Sequence, residues 1–432
     1  MKPVIAPYCG FQGSPPSTAT PTPDWHAVRA LFTSICGAAG DKFPGLDDVA
    51  ALLILCYIAP ERARGAARRH ALLEGAPGTA KTELTKAVAE SLECYAAGLT
   101  HPSGKMYARI QGTPDLLPSA FTGYEARTKK GLFRFRGGEL LGPTSVYHVD
   151  ELNRIPSRTL AVLLEAMAEG QVTLNSLLVP TSKRRRKLPW LFVVGTQNPG
   201  AFVGTNPLPE PLLDRFMIRV IMPYPERPLL AGLLHSLDAT GGQPLNTHPW
   251  LIDFDALRQK VALIIGTSDP AKVAVMSLVP AAVQAPSPAP SPAPAWVPGP
   301  VPLRHNLTIS EDIAAVLLAS WPLGAASLIP GLQDQLPHQR RLRSLVDENL
   351  EYGLGVRAGQ ALRDLASAVA WSRNHGVIDP VPAVSRADVE LVAPFVLPHR
   401  LRFKPGRCAR PEDQMDFARA LLQQAWAWRD SQ

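Results

Sequence analysis

The eight residues Gly75-Ala76-Pro77-Gly78-Thr79-Ala80-Lys81-Thr82 constrain this chain more than any other stretch. They follow a short apolar run, His70 to Glu74, and open a helical pattern that runs from Thr82 to Tyr95. A Gly-containing turn between a strand and a helix points successive backbone N–H groups at one place, and the helix N-terminus adds partial positive charge there. Together they favour phosphate. Lys81 is placed to reach the β and γ phosphates, and the Thr82 hydroxyl to hold Mg²⁺. The general pattern for such a loop, G-x-x-x-x-G-K-[ST], has Gly where this chain has Ala80. Ala is expected to fit there with a negative φ, because only Gly enters the positive region freely. Read alone, the octapeptide is also compatible with an ordinary turn at the start of an amphipathic helix.

The surroundings favour the phosphate reading. Apolar or β-branched runs at His70–Glu74, Tyr107–Gln111, Ser145–Val149, Trp190–Gly195 and Phe216–Met222 alternate with helical stretches such as Ser157–Glu169. Strands alternating with helices predict an α/β fold, a doubly wound parallel sheet with helices on both faces. Val146-Tyr147-His148-Val149 ends in Asp150 and Glu151. Both carboxylates would then lie at a strand's carboxyl end, beside the phosphate loop. Asp150 would hold Mg²⁺, mainly through water, and Glu151 would act as general base on an attacking water. His148 reads as a buried, hydrogen-bonded histidine, with a ligand role as the alternative. A further run ends in Gln197-Asn198-Pro199. Asn198 could orient the water, or the Asn-Pro pair could simply turn the chain.

These segments, taken in order, resemble the MoxR family of AAA+ ATPases. The resemblance lies in GAPGTAKT, RIQGTPDLLPSAFTG (109–123), VYHVDELNRIP (146–156), LLEAMAEGQVTL (163–174), FVVGTQNP (192–199) and PLPEPLLDRF (207–216). Ala at position 80 is itself a mark of that family. The likeness is strong over about 43–225 and loose over 305–402, where LGVRA (354–358) and ADVELVAPFVLPHRL (387–401) are similar to its later segments. The resemblance implies a P-loop AAA+ core with a five-stranded sheet, an α-helical lid, and a ring of copies, usually six. It implies ATP and Mg²⁺ as cofactors, with Gly75 to Thr82 as the phosphate loop and Asn198 as sensor 1. It makes Arg215 the arginine finger and Arg357 sensor 2, although Gly355-Val356 stands where the family usually has Ser-Pro. Arg154 is a second candidate for a cross-subunit contact. Against the finger stands a surface salt bridge of Arg215 with Asp214 or Glu210. The family's work implies remodelling or assembly of a partner protein, often with a von Willebrand factor A domain protein.

The resemblance divides the chain into a tail and leading helix (1–42), the core (43–225), the lid (226–402) and a C-terminal helix (403–432). After Pro225 the strand signal stops and the pattern is helical at 226–238, 310–320, 339–352, 357–372, 386–397 and 412–428. The stretch 265–304 interrupts it, with eight prolines between Pro286 and Pro302. It reads as a semi-rigid linker or projecting loop, or as a docking site for a proline-binding module. Two insertions, 121–135 and 171–188, fall where family rings touch clients. The second contains Lys183-Arg184-Arg185-Arg186-Lys187. Five adjacent positive charges cannot pack in a core, so they form a solvated hairpin tip or meet an anion, an acidic client or nucleic acid. Nucleic acid is less favoured, because no aromatic residues interleave there. In the C-terminal stretch an apolar face from Met415 to Trp428 either packs on the lid or binds a partner.

Composition narrows the classes. Hydrophobic residues are 46% of 432 and charged residues 19%, so the chain can bury a core. The longest apolar run, Val49 to Ala59, has 11 residues, where a membrane span takes about 20. The five scattered cysteines and the absence of an apolar leader suggest a reducing, cytoplasmic setting. A net charge of +7 permits an acidic partner without requiring one.

Overall fold

The computed structural model describes residues 46–59, 69–96, 107–129, 131–142, 146–174, 176, 178–179, 184–188, 191–199, 206–222, 224, 307–373 and 384–432. The N-terminal tail, the 226–238 helical pattern, the Pro-rich insertion and Lys183 lie outside them.

Five parallel strands form the main sheet: β1 (Ala71–Glu74), β2 (Tyr107–Gln111), β5 (Val146–Asp150), β8 (Phe192–Gln197) and β9 (Ile218–Ile221), in the order β2-β5-β8-β1-β9. The three inner strands, β5, β8 and β1, are buried along almost their whole length. That is why they read as unbroken apolar runs in the sequence. Helices α1 (Asp47–Ile58), α2 (Lys81–Ala96) and α3 (Ser157–Glu169) flank the sheet. Alternation along each strand sorts its side chains between two cores. Leu72, Tyr147, Val149 and Val193 pack with Leu160, Leu163 and Met167 of α3. Ala71, Leu73, Val146, Phe192 and Val194 pack with α1 and with Leu84 and Val88 of α2. The period-two rule thus turns one strand sequence into a sheet covered on both faces.

The longer helices described after the sheet are α4 (Leu307–Ala319), α5 (Arg340–Asn349), α6 (Val356–Arg373), α7 (Arg386–Val396) and α8 (Pro411–Asp430). A capping box between Ser385 and Asp388 starts α7. Pro411 starts α8, and Glu412 and Asp413 place negative charge in its first turn. These helices share the core of α1: Val316, Leu362, Leu365, Val392 and Leu421 belong to the same buried cluster as Leu53. The C-terminal face packs on the lid, with Phe417, Leu421, Leu422, Ala425 and Trp426 buried. An α-helical lid therefore follows the α/β core, as expected.

Two expectations need correcting. The helical half is not free of strand: β10 (Leu350–Tyr352) pairs antiparallel with β11 (Arg402–Phe403). Strands of two and three residues carry no periodicity, and tertiary contact alone pairs them. The described part of the basic run is also not a hairpin tip. Arg185–Lys187 form the exposed strand β7, paired with β6 (Gln171–Thr173). The other insertion is a hairpin too, of β3 (Tyr124–Arg127) and β4 (Phe133–Arg136). Among the described residues no helix is long and apolar enough to cross a membrane.

Where β2 ends beside β5, Gly112 donates its N–H to the Asp150 carbonyl at 2.7 Å. A Cβ on Gly112 would lie 2.3 Å from the Glu151 carbonyl oxygen and 2.7 Å from that of Asp150. Both are backbone atoms at the end of a buried strand and cannot step aside. Gly112→Ala is therefore expected to cost about 2–3 kcal/mol of stability. Urea unfolding checks this, and an unchanged midpoint would contradict it.

Candidate nucleotide site

The loop after β1 is anchored where it leaves the strand. The Gly75 N–H donates to the Gln197 carbonyl at 3.2 Å, and the Met222 N–H to the Glu74 carbonyl at 2.7 Å. Buried Glu74 is itself held by Arg219 at 2.9 Å and Gln197 at 2.6 Å. Gly78 and Ala80 both have left-handed backbones, with φ of 82° and 58°. The negative φ expected for Ala80 is thus wrong: the loop requires the turn, and the side chain accepts the strain. The Lys81 ammonium, buried at the head of α2, donates to the carbonyls of Gly75 (2.7 Å) and Ala76 (2.8 Å) and to Asn198 Oδ1 (3.3 Å). Burial pushes its pKa below the ordinary lysine value, against the opposing charges of Asp150, Glu151 and Glu74.

The two carboxylates meet this loop from β5. Asp150 Oδ1 accepts from Thr196 Oγ1 at 2.5 Å; Oδ2 accepts from Arg109 at 2.5 Å and from Thr82 Oγ1 at 3.3 Å. Burial would raise the Asp150 pKa, but the hydrogen bonds from Thr196 and Arg109 and the Arg109 charge hold it below the usual carboxylate value. Asp150 is therefore ionised at neutral pH. Glu151 stands in a left-handed conformation, φ 49°, which turns its side chain off the strand. Its Oε2 accepts from Gln111 at 3.0 Å and lies 3.4 Å from Arg154. Asn198 is buried beside them, its carbonyl taking the Asn153 amide at 3.0 Å. Pro77, Gly78, Ala80 to Glu83, Arg109, Gln111, Asp150, Glu151, Arg154 and Thr196 to Asn198 line one cleft of roughly 800 Å³, within the usual range for small-molecule sites. The structure thus brings Lys81, Thr82, Asp150, Glu151, Asn198 and Arg154 together.

His148 lies outside that cleft and is fully buried. Its Nδ1 is 2.7 Å from the Tyr107 hydroxyl and its Nε2 is 3.9 Å from Asp150 Oδ1. Burial lowers its pKa to about 4, against the pull of Asp150, so the ring is neutral at pH 7 and buttresses the sheet.

Arg215 and Arg357 are elsewhere. Neither lines the cleft of its own chain; they meet at Asp214. Arg357 bonds Asp214 Oδ2 at 2.8 Å, and Arg215 approaches the same oxygen at 3.4 Å. The salt bridge foreseen for Arg215 therefore exists, and a second arginine shares it.

A family model described as "ATPase family associated with various cellular activities (AAA)" matches residues 70–218, and one described as "AAA lid domain" matches 342–424. The chain is 40% identical over 162 residues to the uncharacterized protein YeaC of Bacillus subtilis and 35% identical over 158 residues to Chaperone MoxR1 of Mycobacterium tuberculosis. It is also 25% identical over 404 residues to Protein MoxR of Methylorubrum extorquens. The chain belongs to the MoxR family of AAA+ ATPases. The first two matches take in 37% and 36% of this MoxR-family chain and 44% and 37% of those relatives, so the chain spans less than half the length of each. The third takes in 93% of this chain and 95% of its relative. A crystal structure from Cytophaga hutchinsonii shares the fold, with a TM-score of 0.57 at 20% identity, covering 94% of this chain and 96% of that one.

Sequence reasoning missed three residues of this MoxR-family site. Arg109 and Gln111 stand two apart on β2, on its exposed face, so their alternation with Ala108 and Ile110 was a usable signal. Thr196, inside a buried strand, gave none, while Asp214, foreseen only as a partner of Arg215, also takes Arg357.

Two predictions follow from the strain and the burial. Ala80→Gly is expected to gain about 1 kcal/mol by relieving a left-handed alanine, with nucleotide affinity unchanged; a lower urea midpoint would contradict it. For His148 the unfolded chain takes up a proton below pH 6.5 that the native chain refuses until about pH 4. Stability is therefore lost as pH falls through that window, by about 3 kcal/mol from this ring. His148→Gln removes this part, and melting temperatures at pH 7 and 4.5 should fall less in the variant than in wild type.

Proposed function

We propose that this chain binds ATP with Mg²⁺ and hydrolyses it to ADP and phosphate in a ring of copies, using the energy to remodel or assemble a partner protein. The observation that carries this is the convergence, in one cleft, of the Lys81 ammonium, the Asp150–Glu151 pair and Asn198 at the mouth of the 75–82 loop. The loop amides and Lys81 bind the β and γ phosphates. A hydroxyl, Thr82, and an ionised carboxylate, Asp150, lie 3.3 Å apart and fit a hard, oxygen-seeking cation. Among the described residues no group of three or more His, Cys, Asp or Glu side chains could hold a metal. That suits Mg²⁺, which completes its shell with water and phosphate oxygens. The ion would neutralise phosphate charge. Glu151 takes the proton of a water that Asn198 orients; the water oxygen bonds to the γ phosphorus, and ADP leaves.

Arg215 and Arg357 share one carboxylate and lie outside their own cleft, so we assign both to the terminal phosphate bound by a neighbouring copy. Such cations contribute about 10³–10⁵ in rate in well-studied phosphoryl-transfer enzymes. A hexamer is the reading that the family supports. The two hairpins supply a client surface. Tyr124, Leu132 and Phe133 are exposed beside Arg127, Arg134 and Arg136, and Ser176 Oγ donates to Glu125 at 2.7 Å, tying the insertions together. With exposed Arg185–Lys187 they suit an acidic segment carrying apolar side chains. The name of the mycobacterial relative supports a chaperone role. A von Willebrand factor A domain adaptor belongs to this reading, and a cytoplasmic setting agrees with it.

Lys81→Ala should abolish retention of labelled ATP. Glu151→Gln should retain ATP and bound partner while turnover falls about 10²–10⁴-fold. Steady-state phosphate release with equilibrium binding checks both; full turnover by Glu151→Gln would remove the proposed base.

A further inference from the structure

The segment that carries Arg215 is strapped to the helical half of its own chain. Glu210 is paired with Arg402, which also reaches Glu351 at 2.7 Å. The Phe216 carbonyl accepts from Arg400 at 2.5 Å and faces His399 Nε2 at 3.0 Å. Arg400 also donates to the carbonyls of Val396 (2.6 Å) and Met217 (3.2 Å). At the centre is Asp214. Its Oδ2 faces Arg357 at 2.8 Å and Arg215 at 3.4 Å, and its Oδ1 faces Arg400 at 3.5 Å.

Three guanidiniums therefore share one carboxylate, an excess of two positive charges. They are not equivalent. The Arg400 side chain is 2% exposed and has backbone carbonyls of its own, so it is a fixed strut. Arg357 is 41% exposed. Arg215 is 16% exposed, and its buried Nε has no hydrogen-bond partner among the described residues. Arg215 and Arg357 are thus half-satisfied forks meeting at one carboxylate oxygen, and such forks suit phosphate oxygens as well as carboxylate. Two like charges this close repel unless an anion stands between them. The charge of Arg357, after burial, is what lowers the pKa of Arg215, while Asp214 opposes it.

We infer that Asp214 is a positioning residue: it holds Arg215 and Arg357 side by side as one anion receptor for the neighbouring copy's terminal phosphate, and through Arg400 it ties that receptor to the lid of its own chain. This rests on the proposal that the two arginines act on a neighbour. Among the described residues Asp214 does not line its own cleft, so its loss should leave nucleotide binding intact and lower only turnover.

The test uses the full chain with Asp214→Asn, which keeps the shape and removes the charge. ATP affinity and KM should match wild type, while kcat falls about 10²-fold, the scale set by misplacing a reacting group. Mixing Asp214→Asn with Lys81→Ala should restore hydrolysis. The first supplies a working cleft, and the second supplies arginines still organised by Asp214. A merely misfolded variant would have no cleft to rescue. Arg215→Ala mixed with Lys81→Ala serves as the control for action across the interface. If that control recovers and Asp214→Asn keeps full kcat or fails to recover, the role of Asp214 is overturned and the cross-subunit reading stands. If the control does not recover, the cross-subunit reading falls and this inference with it. Should Asp214→Asn melt below the assay temperature, Asp214→Glu replaces it in the same mixtures, with the same loss and recovery expected. The charge is kept there for Arg400, but the extra methylene shifts the fork.

Discussion

The Asp150 carboxylate joins four elements at one point. It ends β5, takes the Thr196 hydroxyl from β8 and the Arg109 guanidinium from β2, and meets Thr82 at the head of α2. A carboxylate buried this far is costly unless its oxygens are satisfied. Here both are, and each bond also fixes where a strand stops. The carboxyl ends of β2, β5 and β8 are therefore held level beside the loop that follows β1, and every polar group of the cleft hangs from that rim. Glu151, one residue on, owes its direction to a left-handed turn that the rim imposes.

The helical half follows the same logic. Asp312 is fully buried and is satisfied by Arg386 at 2.6 Å and Arg429 at 2.8 Å. Arg386 also holds Asp430 at 2.6 Å and lies over the Trp426 ring at 5.2 Å. That cluster fastens α4, α7 and α8 into one body. The same body extends Arg357, Arg400 and Arg402 to the segment 210–217 of the core. Apolar burial makes the two halves one hydrophobic cluster, while the arginines set the direction in which the Arg215 segment faces.

Much of this was legible in the residues. The strands His70–Glu74 and Tyr107–Gln111 and the helix Ser157–Glu169 were within a residue of their observed bounds, because buried strands and amphipathic helices write their period into adjacent positions. Asp150 and Glu151 were placed correctly because an apolar run ending in carboxylates has one position in a parallel sheet. What escaped was non-local or strained. β10 and β11 are too short for any period. Thr196 looks like one more β-branched strand residue until its hydroxyl is seen on Asp150. Ala80 was assigned the comfortable half of backbone space, and the loop holds it in the other.

The sequence alone determined the 75–82 loop between strand and helix, the α/β core followed by helices, and the carboxylate pair at a strand end. Each is specified by residues within a few positions of one another, where backbone geometry leaves few choices. Tertiary structure decided which arginine meets which acid. Arg357 and Asp214 are 143 residues apart, and Arg400 and Asp214 are 186 apart. An ion pair depends on distance in space, and no pattern along the chain records that distance.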